Sequence, residues 1–409
     1  MIDRFHSKNS KTSQFLNSFL VSVIALFLLG CGEKPEGEDS AKEEGGTDPA
    51  EYKDWPLFRG DSEMQGVSHE DLAPPLQLAW SYTPVAKEGR RLPPIEASPV
   101  IADGITYLGT QESKFLAIDS FDGALKWEAT VEGPITAPAA VVDGKVFVGD
   151  TYGLVYAFNT ENGEEVWRFE TEGKIEGGVN FLKDEDGSVK LFIGSYDNLL
   201  YCLNSEDGSV LWSHKTDNYI IATPSLINSG GKQAVCFGGC DGLLHIVPAD
   251  GKGEAEQIEV GSYIANSTAV RDGICYVADN GGTIRAIDIA SGEIAWEINT
   301  SLEFTASPAV NEDLLFIAGP DKRLVAYDRV MGKEVWAFQS SRSLDSSPLV
   351  TKSAVWQGGM DGRIYAVNPE DGTELWNYEL GAQVKASPAI SAGTLVICGD
   401  DGVVYGFRK

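Results

Sequence analysis

The sequence predicts an all-β fold, an eight-bladed β-propeller of four-stranded antiparallel blades. Three observations predict it. A phrase ending in tryptophan returns about every forty residues: AIDSFDGALKW at Trp127, AFNTENGEEVW at Trp167, CLNSEDGSVLW at Trp212, AIDIASGEIAW at Trp296, AYDRVMGKEVW at Trp336 and AVNPEDGTELW at Trp376. A fixed period of that length marks a repeat architecture, and four strands in about forty residues is one propeller blade. Between the phrases, short apolar or alternating runs are separated by Gly, Asp and Asn turns, the pattern of strands joined by tight hairpins. The chain also starts its repeats with a single strand, LQLAWSY around Trp80, and ends with three, from Ser387 to Phe407. Pairing the one with the three completes an eighth blade and closes the ring, which removes the open sheet edge.

The elements follow in chain order. Residues 1–30 read as a targeting segment: Arg4, Lys8 and Lys11 give a basic start, and an apolar run from Phe15 to Leu29 follows, too short with these flanks for a spanning helix. The run ends in Leu28-Leu29-Gly30-Cys31, which resembles the lipobox of bacterial lipoproteins, although Leu29 is bulkier than the usual residue there. That resemblance implies lipidation of Cys31. At about 0.8 kcal/mol per buried CH₂, several acyl chains anchor firmly where one is marginal. Gly32 follows, with no Asp, so the expected location is the outer membrane, facing the periplasm. Residues 31–53 are acidic, contain Gly and Pro, and are poor in apolar groups, a composition that reads as a tether. Residues 54–75 form a lead-in segment, and 76–409 the propeller.

The recurring tryptophans, Trp80, Trp127, Trp167, Trp212, Trp296, Trp336 and Trp376, are expected to dock each outer strand on the next blade and to cover the phrase before its Gly. Ring symmetry spreads them around the perimeter, so they form no shared aromatic site. The unit between Trp212 and Trp296 has lost its aromatic, and the spacing puts Gln257 in its place. Asp-Gly pairs such as Asp241-Gly242, Asp361-Gly362 and Asp401-Gly402 mark hairpin turns, where a positive φ penalises a Cβ. They lack the run of spaced oxygen ligands of a Ca²⁺ loop.

Composition narrows function. The formal net charge is −29, which disfavours nucleic acid and anionic lipid headgroups. Five cysteines remain after Cys31: Cys202, Cys236, Cys240, Cys275 and Cys398. An odd number scattered over four blades is no disulfide framework, and they read as buried small hydrophobes, with a local Cys236–Cys240 pair as the alternative. His69, His214 and His245 show no metal-ligand spacing, and His245 takes the slot of Tyr156 and Tyr365 in sister repeats. No nucleophile elbow, P-loop or HExxH motif occurs.

The sites that break the repeat are the candidates for function. Two places ahead of Ser98, Ser307, Ser347 and Ser387, the chain reads Glu96, Thr305, Asp345 and Lys385. One place ahead of the corresponding slot, two other units offer Glu176 and Asn266. Inner strands line a propeller's channel, so these six side chains are expected at one mouth, with Lys385 facing Glu96 and Asp345. Arg90 and Arg91, in the TPVAKEGRRLPP insertion, form a candidate partner loop.

The A-x-[DN]-x-x-x-G-x-x-x-W phrase resembles the docking motif of bacterial quinoprotein-type propellers, over roughly residues 76 to 409. Within them the chain resembles the lipoprotein branch that includes the B subunit of the outer-membrane β-barrel assembly machinery. The opening DWPLFRGD, Asp54 to Asp61, resembles the start of propellers said to bind pyrroloquinoline quinone. Quinone enzymes of this type hold the cofactor over a Trp and under two adjacent cysteines, beside a Ca²⁺ on Glu, Asn and Asp. No adjacent Cys pair exists here, and Trp356 lies on a second strand and reads as core. The expectation is therefore a non-catalytic envelope lipoprotein without a cofactor, a monomeric propeller within a complex of envelope proteins, plausible in outer-membrane protein assembly and touching the membrane through its lipid alone. A channel that binds a small molecule or peptide is the alternative, and a dehydrogenase using the quinone with Ca²⁺ comes third.

Overall fold

The computed structural model describes residues 54–85, 91–229 and 232–409. The expected signal, the tether, Cys31 and Arg90 lie outside the described residues. Among the described residues there is no helix. The strands form eight separate four-stranded antiparallel sheets. The blade containing Trp127 (blade one) is made of Val100–Ala102, Ile105–Gly109, Lys114–Asp119 and Leu125–Thr130, and six more follow in the same order. In blade eight, Ala389–Ser391, Thr394–Cys398 and Val404–Arg408 are completed by Gln77–Tyr82, with Gln77 opposite Arg408 and Tyr82 opposite Val404. The ring closes by joining the two chain ends, as the strand count predicted.

The first strand of each blade lies innermost, where it touches the first strands of its neighbours. The core is accordingly a set of layers between blades: the layer from Val100 and Trp127 to Val146 and Phe158, for example, joins blades one and two. The tryptophans hold these layers as expected. Trp80 Nε1 donates to Ser120 O (3.0 Å), Trp127 to Thr160 O (2.8 Å), Trp167 to Ser205 O (2.9 Å), Trp296 to Arg329 O (3.0 Å) and Trp336 to Pro369 O (3.0 Å). Each acceptor lies in the turn of the following blade. In blade eight the chain ends meet where that turn would be, so Trp376 packs edge-on to Trp356 and Phe407 instead.

One expectation shifts by a residue. Strand pairing sets Trp167 opposite Ala157, whereas in blade four Glu256 stands opposite Ile246 and Gln257 opposite His245. Glu256, not Gln257, therefore holds the missing tryptophan's place. The span is the same in both hairpins, ten residues from Ala157 to Trp167 and ten from Ile246 to Glu256.

The Asp-Gly pairs are turns, with Gly242, Gly362 and Gly402 at φ of +77°, +79° and +80°. Their aspartates also bind the next-but-three side chain: Asp361 accepts from Tyr365 OH (2.6 Å), and Asp241 contacts His245 Nε2 (2.9 Å). His245 thus does the work of its sister tyrosines. Among the described residues the five cysteines are unbonded, Cys202, Cys236, Cys275 and Cys398 are buried, and no Cys236–Cys240 bridge forms. Cys236 faces Cys275 of the next blade instead, with 3.6 Å between sulfurs.

Candidate functional site

Two rings of side chains define the axis. The inner one is a girdle of hydroxyls, each accepting a backbone N–H from the preceding blade. Gly178 N donates to Thr223 Oγ1 (2.7 Å), Thr223 N to Ser267 Oγ (3.1 Å) and Ser267 N to Ser307 Oγ (3.1 Å). Ser307 N donates to Ser347 Oγ (2.9 Å), Ser347 N to Ser387 Oγ (3.1 Å) and Ser387 N to Ser98 Oγ (2.9 Å). The girdle is interrupted at Pro138, which has neither a hydroxyl nor an N–H to give, and at Gly178, which donates its N–H but has no hydroxyl to accept one. At about 1 kcal/mol net per hydrogen bond, these links stiffen the hub and fix the backbone that carries the second ring.

The second ring sits two residues earlier on each blade, at one mouth of the channel. Its members in order are Glu96, Thr136, Glu176, Ile221, Ala265, Thr305, Asp345 and Lys385. Lys385 Nζ meets Glu96 Oε1 at 2.9 Å, as expected. With Asp345, Met360, Gln383 and Asp400 they line a cavity of about 280 Å³. Glu176 belongs to this same slot, two places before Gly178 and not one. Asn266 does not: it stands one place later, is 3% exposed, and its amide donates inward to Ala278 O (2.7 Å) and Phe304 O (3.3 Å). It is a core bracket, and Ala265 takes the mouth position. Thr305 is exposed and has no side-chain partner among the described residues. Arg91 is also exposed.

The sequence reading missed the aromatic half of this face. Tyr196 stacks on Tyr219 (ring centroids 4.8 Å, 21°), its hydroxyl donates to Glu176, and Lys174 Nζ lies 5.7 Å from its ring centre. Tyr219 and, on the loops of blade two and before blade five, Tyr152 and Tyr263 are 46%, 67% and 43% exposed. The signal was available, because Tyr196 falls at a loop position where sister repeats carry Gln111, Pro320 and Met360, and Tyr219 and Tyr263 fall where sister repeats carry Pro134, Ser343 and Gln383. The face is thus divided: charged where blades seven, eight and one meet, aromatic over blades two to five.

The other end of the axis is filled. The lead-in segment runs round it and touches in order the inner strands of blades one to seven and the turn after the inner strand of blade eight. Trp55 exchanges two backbone hydrogen bonds with Ile101, Pro56 O accepts from Val141 N, and Ser62 O accepts from Asn180 Nδ2 and Leu226 N. Glu63 O then accepts from Val270 N, Gln65 O from Val310 N, Gly66 O from Val350 N, and the Glu70 carboxylate from Gly393 N. Trp55, Leu57 and Met64 are buried. So is Arg59, whose Nη2 donates to Pro308 O (3.1 Å) and whose pKa burial pushes down to about 9.

These residues do not fit the quinone cradle that the resemblance implies. Trp356 is fully buried against Trp376, off the channel, and no two cysteines are adjacent. Among the described residues no three His, Cys, Asp or Glu side chains converge as metal ligands.

Comparison with solved structures finds the same ring in proteins of different kinds. BamB from Moraxella catarrhalis is 16% identical, with 82% of this chain and 100% of that one covered at a TM-score of 0.68. Quinohemoprotein alcohol dehydrogenase from Comamonas testosteroni is 17% identical over 87% and 80%, at 0.72. The computationally designed Ika8 protein is 18% identical over 79% and 98%, at 0.66. At such identities the likeness shows the fold alone. A comparison with curated proteins finds no match. One family model, described as outer membrane protein assembly factor BamB, matches residues 77–177, 151–252 and 246–405. Since those matches take in most of the chain and nearly all of the ring, the chain belongs to the BamB family of outer membrane protein assembly factors.

Proposed function

We propose that this protein is a non-catalytic envelope lipoprotein whose propeller serves as a scaffold for other envelope proteins during outer-membrane protein assembly. The divided channel-mouth face carries this reading. Exposed tyrosines beside a charged sector, on a backbone stiffened by the hydroxyl girdle, make a rigid surface of the composition that binding hot spots favour. Family membership supports the assembly role, and the poor fit of Trp356 and the cysteines to a quinone cradle supports a role without redox chemistry. Lipid on Cys31 would hold the propeller in the periplasm at the outer membrane, as one copy within a larger complex.

Affinity purification from native envelopes tests this. The wild-type chain is expected to recover outer-membrane assembly components, and Tyr219→Ser with Tyr263→Ser to lose them at unchanged melting temperature. Recovery of the same partners by that variant would refute the role of the face. The 280 Å³ cavity at Lys385 and Glu96 supports a second reading, a small ligand or peptide tip held at the mouth. A ligand-dependent thermal shift lost in Lys385→Ala is its signature.

A further inference from the structure

At six of the junctions between blades an indole lies flat on a positive-φ glycine of the next blade. A Cβ added at Gly123, Gly163, Gly208, Gly251, Gly332 or Gly372 would come within 2.4–2.7 Å of the ring. The junction of blades four and five keeps the socket and lacks the indole. Gly292 retains its φ of +71°, but the nearest atoms to an added Cβ are in the Ile258 side chain, 3.8 and 3.9 Å away. Ile289 corresponds to Thr160 and Arg329, whose carbonyls accept from Trp127 and Trp296. Its carbonyl receives no hydrogen bond among the described residues.

In place of the ring there is a cavity of about 710 Å³ with an aliphatic floor that includes Ile227, Ile246 and Ile289. That volume is typical of small-ligand sites. Its rim is acidic, with Asp250, Glu254 and Glu256, the last in the tryptophan's own place. Among the described residues the one cation lining it, Lys190, is engaged with Asp184 at 2.6 Å. Gly273, in the turn after the inner strand Ala269–Arg271, also lines it, so the cavity lies at the opposite end of the ring from the channel mouth.

We infer that this vacated socket is a binding site for an aromatic side chain flanked by positive charge, presented by a partner polypeptide. The floor matches a ring that the six sister junctions show seated on the same kind of turn. The free Ile289 carbonyl matches an indole N–H or a phenol, and the three carboxylates match flanking Lys or Arg. The site stands apart from the scaffold reading of the mouth face, so either can fail without the other.

Calorimetric titration of the purified full chain with the capped peptide Lys-Trp-Lys tests it, with Lys-Ala-Lys and Glu-Trp-Glu as controls. Lys-Trp-Lys is expected to bind at least tenfold more tightly than either control. Glu256→Trp combined with Ile246→Ala, which restores the sister arrangement, should fill the socket and lose at least tenfold in affinity while keeping or raising the melting temperature. Should that variant misfold, Glu254→Lys with Glu256→Lys changes only exposed positions and should weaken binding by the same factor. Equal binding of Lys-Trp-Lys and Lys-Ala-Lys, or unchanged binding by a folded variant of either kind, overturns the inference.

Discussion

Removing one indole and the glycine beneath it, separately and together, tests the docking of blade on blade. Trp167 is 8% exposed, donates to Ser205 O at 2.9 Å and lies 5.7 Å from the Phe147 ring. A buried indole removes about 150–250 Å² from water, about 4–6 kcal/mol gross, to which its hydrogen bond adds about 1 kcal/mol. After the conformational entropy that truncation returns, Trp167→Ala should cost about 3–5 kcal/mol. Gly208 sits under the ring at φ +71°, and an added Cβ would lie 2.6 Å from Trp167 Cε3. Gly208→Ala therefore bears about 1–2 kcal/mol for the left-handed backbone and about 1–3 kcal/mol for the collision. In a chain already lacking the indole the collision is gone and only the backbone cost remains. The double variant should then be less destabilised than the sum of the singles by about 1–3 kcal/mol. Urea denaturation followed by far-ultraviolet circular dichroism, with the slopes compared across variants, measures this. Strict additivity, or a Trp167→Ala loss below about 1 kcal/mol, would refute the docking account.

Other perturbations follow from the same structure. Asp61 is half-buried, and desolvation raises its pKa to about 6. The folded state therefore holds this proton through a window, from about pH 4 to 6, in which the unfolded chain releases it, so this group's contribution to stability falls as pH rises through that window; Asp61→Asn should flatten the loss, a linkage on the order of 3 kcal/mol. A slope between pH 4.5 and 7.5 identical in wild type and variant would contradict it. Arg59→Met, which replaces a buried guanidinium with two unpartnered nitrogens by an apolar chain, should stay within about 1 kcal/mol of wild type, while Arg59→Ala opens a cavity and loses about 2–4 kcal/mol. Melting temperatures that rank these two the other way would argue against it. In native thiol labelling, part-exposed Cys240 should react first, and Cys202, whose thiol burial pushes up to about 12, should stay protected until the chain unfolds; mass spectrometry of the modified protein reports the order. Lys385→Met should change stability by less than about 1 kcal/mol, since its ion pair with Glu96 is 56% and 30% exposed, and a thermal melt checks it.

What the sequence made legible was whatever repeats. Trp127, Trp167 and Trp336 announced their roles because each stands at the end of the same phrase, and His245 could be read from Tyr156 and Tyr365. Residues whose role is set by distant partners stayed hidden. Ser98 and Ser387, 289 positions apart, are adjacent links of the hydroxyl girdle. Cys236 was weighed against nearby Cys240, yet its sulfur faces Cys275 across a blade boundary. Asn266 looked like a mouth residue because it is polar at nearly the right position, but one residue of register turns a side chain from solvent to core. The lead-in segment carries no repeat at all, so nothing in its composition foretold that Trp55 and Glu63 would meet strands in different blades.

The route of that segment has a directional result. It leaves one end of the hub occupied by chain and the other open. The two ends are therefore unlike surfaces, and a visitor approaching along the axis meets either packed backbone or the tyrosine-bearing mouth.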